Sequence, residues 1–144
     1  MIFCNVRHAA LGAITCLALL TASAQSAKAD CQASEGCYGA LAAGLWRDGA
    51  GTARVAAGSA WNLPDQESAN ARAVRQCNQR GYNCKVVYFF NNGGCGFLSV
   101  GNRYGGVRWG TGPTPRDAIN NCSRGGFDCR APIGGCTAGP IEGD

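Results

Sequence analysis

The chain has a single histidine, His8, and a single methionine, Met1. Past the first thirty residues no imidazole remains, which excludes Ser-His-Asp and Cys-His catalysis there. No C-x2-C pair is present, so zinc-ribbon spacing is missing, and no histidine stands by to complete a mixed site. A phosphate loop is missing too. Gly49-Ala50-Gly51 and the glycines between 101 and 106 are not followed by the Lys that G-x-x-x-x-G-K-[ST] requires, and they read as turn residues. No apolar run reaches the roughly 20 residues of a membrane-spanning helix. Lysine is scarce as well, with Lys85 the only one after Lys28.

What the chain does have begins at its N-terminus. Arg7 precedes an apolar stretch from Ala9 to Ala22 that ends in the small-residue pattern Ala27-Lys28-Ala29. This is the layout of a secretory signal peptide, residues 1–29, cut after Ala29 or alternatively after Ala24. The residues before Cys31 and Cys16 do not make a lipobox. Cleavage removes Arg7 and Lys28 and no acid, so the net charge of +4 falls to +2. That is too little to point to nucleic acid. The expectation is a secreted or periplasmic domain, residues 30–144, with no membrane span after cleavage.

Eight of the ten cysteines lie in that domain: Cys31, Cys37, Cys77, Cys84, Cys95, Cys122, Cys129 and Cys136. An even number in a small exported chain reads as a disulfide framework, with 105 possible pairings. An internal repeat selects among them. Cys77-Asn-Gln-Arg-Gly-Tyr-Asn-Cys84 and Cys122-Ser-Arg-Gly-Gly-Phe-Asp-Cys129 share C-x6-C, a glycine and an aromatic (Tyr82, Phe127) at the same offsets. Asn92-Gly93-Gly94-Cys95 resembles Ile133-Gly134-Gly135-Cys136. The chain divides into repeats of about 37–94 and 95–136, followed by a flexible tail, 137–144.

Each repeat reads as strand, strand, helix, strand. In the first, segments 38–45 and 52–61 flank a glycine turn. In the second, 96–100 and 106–110 do so. Thr114 is suited to cap the second helix, with Pro115 at its first position and Asp117 placed for a capping contact. The first helix starts near Pro64 or Asp65, where Asp65 and Glu67 suit the positive end of the dipole. Ala69, Ala73 and Cys77 share one face. Gly81 and Gly125 suit the left-handed residue that ends a helix. Lys85–Phe90 is the strongest strand. This geometry pairs Cys77 with Cys84 and Cys122 with Cys129 across short turns. Cys95 with Cys136 is expected to staple the repeats together. Cys31 with Cys37 follows by elimination, although Cys31 can also reach across the domain. The expected fold is α+β: two tandem strand-strand-helix-strand repeats in an antiparallel sheet with two helices on one face.

The succession Tyr38-Gly-Ala-Leu-Ala42, Gly58-Ser-Ala-Trp61, Cys84-Lys-Val-Val-Tyr-Phe89, Gly94-Cys95-Gly96 and Gly105-Gly-Val-Arg-Trp-Gly110, with helices ending in Cys77 and Cys122, resembles the bacterial exported domain of unknown function 4189 family. The resemblance covers about residues 37–136. It implies export and an accessory or binding role, and it brings no cofactor. The family closes with an apolar strand, whereas Arg130–Gly135 is short and interrupted by Pro132.

Two carboxylates can hydrolyse glycosides, and Asp48, Asp65, Glu67, Asp117 and Asp128 are the candidates. Helix ends and turns account for most of them. The remaining binding material is arginine and aromatic, both enriched in hot spots. Arg103, Tyr104, Arg108 and Trp109 lie on one hairpin, and Trp46 and Arg47 lie on its counterpart with Trp61. The same tryptophans suit a core poor in Leu and Ile. The expectation is an exported non-enzymatic interaction domain that meets an unknown protein or a cell-envelope glycan, its oligomeric state open. A secreted enzyme inhibitor or effector acting through a disulfide-held loop is the alternative, and a carboxylate-based hydrolase a further one.

Overall fold

Neighbouring residues of the first strand bury against different partners, and that alternation sets the architecture. The computed structural model describes Cys31 and residues 36–139; the expected signal peptide and residues 140–144 lie outside the described residues. The elements are β1 (Tyr38–Arg47), β2 (Ala53–Leu63), α1 (Gln66–Asn78) and β3 (Lys85–Asn91). The second repeat supplies β4 (Cys95–Arg103), β5 (Gly106–Gly112), α2 (Pro115–Ser123), β6 (Asp128–Cys129) and β7 (Ile133–Cys136). Ala40 and Ala42 of β1 pack with Ala69, Ala73 and Cys77 of α1. Leu41 and Ala43 turn the other way, onto Phe90 and Leu98.

The α+β fold and its two repeats are observed, and the strands divide into two antiparallel sheets. One has the order β2-β1-β3; the other has β5-β4-β6, with β7 also on β4. Their inner faces meet through Leu41, Phe90 and Leu98, while α1 packs against β1 and β2 and α2 against β4 and β5. Each sheet therefore carries one helix, on its outer face, where a single sheet with both helices on one face was expected. The reason lies in β1 and β4. Both are apolar on both faces, so each needs a second layer besides its helix.

The helices sit close because the strands beneath them are nearly bare. A Cβ on Gly58 would meet the Ala73 carbonyl and the Cys77 amide, and one on Gly110 would meet the Ala118 carbonyl and the Cys122 amide. Polar ties repeat across the two halves. Ser59 N donates to Gln76 Oε1 at 2.7 Å, and Asn121 Nδ2 donates to the Thr111 carbonyl at 2.8 Å. Both helix starts are as expected. Asp65 caps α1 by accepting from Ser68 N, and Thr114 caps α2 by accepting from Asp117 N.

Cys77 joins Cys84, Cys122 joins Cys129, Cys95 joins Cys136 and Cys31 joins Cys37. The role expected of one bond needs correction. Cys95 and Cys136 are directly opposed on β4 and β7, so their bond closes the second sheet on itself and does not link the repeats. The resemblance of 92–95 to 133–136 misled here. Asn92 and Gly93 form a turn with positive φ, whereas Ile133–Cys136 is a strand. By register Cys95↔Cys136 corresponds to Tyr38↔Asn91 in the first sheet.

Gly125 does adopt positive φ after α2, at 83°. Gly81 does not; a Cβ there would strike the Trp46 indole, so close approach, not backbone freedom, calls for glycine. The start of the expected tail is held in place. Thr137 is buried, its amide donates to the Gly94 carbonyl at 2.9 Å, and its hydroxyl accepts from Gly93 N at 3.0 Å.

Candidate functional groove

The third strand of the second repeat is broken, and the break shapes the surface. β6 pairs with Gly101 and Asn102, and β7 pairs from Cys95 to Leu98. Between them Pro132 supplies no N–H, and the chain leaves the ladder. Ser99 bridges the gap by donating its hydroxyl to the Arg130 carbonyl at 2.6 Å, and Arg130 N donates to the Val100 carbonyl at 3.0 Å. A groove opens here between the two sheets.

Two adjoining cavities form the groove. The first, about 360 Å³, runs between Thr52–Val55 at the start of β2 and the strands β4 and β5 at Val100, Asn102 and Val107. The second, about 220 Å³, continues beneath β2 over Ala57, Leu98 and Ile133. Val55, Val100 and Arg130 line both. The floor is aliphatic and the rim carries Arg54, Arg80 and Arg130. Neither cavity is lined by a carboxylate.

The three arginines are held differently. Arg54 Nε pairs with Asp48 Oδ2 at 2.9 Å. Asp48 also accepts from Thr52 N and Ala50 N. The Thr52 amide first, then the Arg54 side chain, holds its carboxyl below the ordinary value. Arg80 Nη1 donates to the Ala57 carbonyl at 3.0 Å. Arg130 has its backbone engaged and is exposed; among the described residues its guanidinium has no ion-pair partner.

The six residues expected to form one surface fall into separate places. Trp109 points inward and packs against the core between the sheets. Its strand alternates, and the inner side falls at 107, 109 and 111. Arg108 faces outward, donating to the Arg124 carbonyl at 2.8 Å with Phe127 beneath it. Tyr104 is 93% exposed at the tip of the β4–β5 hairpin, where it and Gly105 both have positive φ, as a two-residue type I′ turn requires. Arg103 lies over the Tyr104 ring and donates to the Gly125 carbonyl. Arg47 donates to the Gly51 carbonyl at 2.7 Å.

Trp46 and Arg103 turn out to be counterparts. Each lies over the glycine that follows its repeat's helix, Gly81 for Trp46 and Gly126 for Arg103. Trp46 also meets Tyr82 edge-on at 5.5 Å. Among the described residues its buried Nε1 has no partner, where Arg103 finds the Gly125 carbonyl. Trp61 lies near the opposite end of β2, against Gly135. These aromatic and arginine side chains brace loops and fill layers in different regions and form no single flat patch.

Three of the five candidate carboxylates are committed elsewhere, Asp48 among them to Arg54 and two backbone amides. Asp65 accepts from the Ser68 amide and hydroxyl, in that order of effect, which holds it below its ordinary pKa. Asp117 accepts from Thr114 Oγ1 at 2.6 Å.

The sequence reading missed the groove residues Val55, Val100, Val107, Arg80 and Arg130. Only Pro132, which interrupts a strand, marked the place. A model of the family described as a domain of unknown function, DUF4189, matches residues 38–136. No curated protein and no solved structure matches the chain.

Proposed function

The chain belongs to the DUF4189 family, a domain of unknown function, and from that premise we propose that it is an exported, non-enzymatic interaction domain that binds through the groove between its two sheets. One observation carries the reading: an aliphatic floor of Val55, Val100 and Val107 lies beneath a rim of arginines with no carboxylate in the lining. Apolar clefts with a few convergent polar groups are where ligands are held. Four disulfides suit an oxidising compartment outside the cytoplasm.

The carboxylate chemistry has less support. A general acid needs a raised pKa in a cleft, whereas Asp48 and Asp65 lie outside the groove and are lowered. An inhibitory loop also has less support. The disulfide-held segments 77–84 and 122–129, though exposed in their turns, are pinned back by Trp46 at Gly81 and by Arg103 at Gly126, and the projecting tips at Asp48–Thr52 and Tyr104–Gly105 contain no cysteine.

The test compares capture from envelope extract by the oxidised wild-type protein and by Val55→Trp, which fills the groove. Loss of a specifically captured component with Val55→Trp, with helicity and melting retained, is the expected result. Equal capture by both proteins overturns the reading.

A further inference from the structure

Arg130 stands where the two cavities join, since it lines both, together with Val55 and Val100. A cation at the end of a single apolar pocket suits an amphiphile with one tail. A cation between two pockets that each carry aliphatic side chains, Val107 in the first and Leu98 and Ile133 in the second, suits an anionic group with apolar substituents on both sides. On the groove reading given above, we infer that the natural ligand is an extended peptide segment with an acidic side chain between two aliphatic ones, its carboxylate on the Arg130 guanidinium.

Charge complementarity points the same way. Arg54, Arg80 and Arg130 all border the groove, and the acid nearest them in the hydrogen-bond network, Asp48, is occupied by Arg54 and two backbone amides. Arg80 donates through one guanidinium nitrogen to the Ala57 carbonyl, so it stays in place as a second cation over the inner cavity. Arg130 is the one of the three whose guanidinium has neither an ion-pair partner nor a hydrogen bond among the described residues. Its planar guanidinium can hold a carboxylate through two parallel hydrogen bonds. Its own backbone is pinned by the Val100 carbonyl and the Ser99 hydroxyl, so the side chain projects from a fixed point. Extended peptides alternate their side chains. The acidic residue therefore meets Arg130 while flanking aliphatic residues reach the floors at Val107 on one side and at Leu98 and Ile133 on the other.

The test titrates the oxidised protein with acetyl-Leu-Val-Glu-Val-Leu-amide, with the same peptide carrying Gln for Glu, and with decanoate, following amide resonances. The expected result is shifts at Val55, Val100 and Ala131 and binding of the Glu peptide on the order of tenfold tighter than the Gln peptide. That preference disappears in Arg130→Ala and returns in part in Arg130→Lys. Equal binding of the two peptides, a Glu preference that survives Arg130→Ala, tighter binding of decanoate, or no groove shifts with either peptide overturns the inference. Failure here is separable from failure of the groove reading: a component captured by the wild type and lost by Val55→Trp keeps the groove and discards only the acidic peptide.

Discussion

Gly39 and Gly96, at matching places on β1 and β4, close on the same side chain, the ring of Phe90. A Cβ on either glycine would enter that ring. Phe90 is thus the wedge between the sheets, supplied by the first repeat and received by both. Phe90→Ala is expected to cost about 3–5 kcal/mol, the usual range for removing a buried Phe. Gly39→Ala and Gly96→Ala should each destabilise by about 1–3 kcal/mol through overpacking. Chemical denaturation of the oxidised variants checks the order. A Phe90→Ala variant as stable as the wild type would remove the wedge from the account.

The disulfides differ in the length of chain they close. Cys95–Cys136 spans 41 residues and Cys122–Cys129 spans 7. The chain-entropy relation gives about 4 kcal/mol for the first and about 2.4 kcal/mol for the second. Paired Cys→Ala variants should follow that order in urea unfolding. The reverse order would mean that local bracing of the loop after α2 outweighs restriction of the unfolded chain.

Much of this framework could be read from the sequence, and the limits have physical causes. The C-x6-C spacing placed Cys77–Cys84 and Cys122–Cys129 because a helix end, a turn and a strand start are local. The caps at Asp65 and Thr114 are local too. Layering is not local. Leu41 and Ala42 are both apolar, and nothing in their order says that one meets a helix and the other a second sheet. For the same reason Trp109, beside Arg108 on a hairpin, read as surface. The similarity of 92–95 to 133–136 equated a turn with a strand, because glycine pairs suit both. The groove depends on β2 passing over β4, a contact between repeats that no spacing records; Pro132 gave its only local sign.

Trp46 offers a test of the counterpart relation with Arg103. Its Nε1 is buried without a partner among the described residues, so Trp46→Phe removes an unsatisfied donor along with some apolar area. The expected change is within about 1 kcal/mol of wild type, because the two effects oppose each other. Trp46→Ala uncovers Gly81 and removes the edge contact with Tyr82; because Trp46 is only partly buried, it should cost about 2–3 kcal/mol, less than a core Trp. Thermal or urea unfolding of the two variants separates these outcomes. A Phe variant as damaged as the Ala variant would show that Nε1 has a partner in solution.

Stability should fall in acid through identified carboxyls. Asp48 and Asp65 have folded-state pKa values below the ordinary 3.8. A carboxyl depressed in the folded state contributes stability that is fully present above its unfolded value. That contribution is lost as pH falls through the folded value. The affected window therefore begins near pH 3.8 and extends below it. Asp48→Asn and Asp65→Asn should each flatten the dependence of the urea midpoint on pH in that window. An acid limb as steep in the double variant as in the wild type would assign it to other groups.

The central claim is that the groove between the sheets is the working surface. Hydrogen exchange of the oxidised protein, alone and with the component it captures, measures this residue by residue. The account predicts slowed exchange on binding in 52–57, in 100–107 and in 130–133, with Phe89 and the exposed face of α1 unchanged. Slowed exchange confined to α1 or β3, with those three segments unaltered, would contradict it.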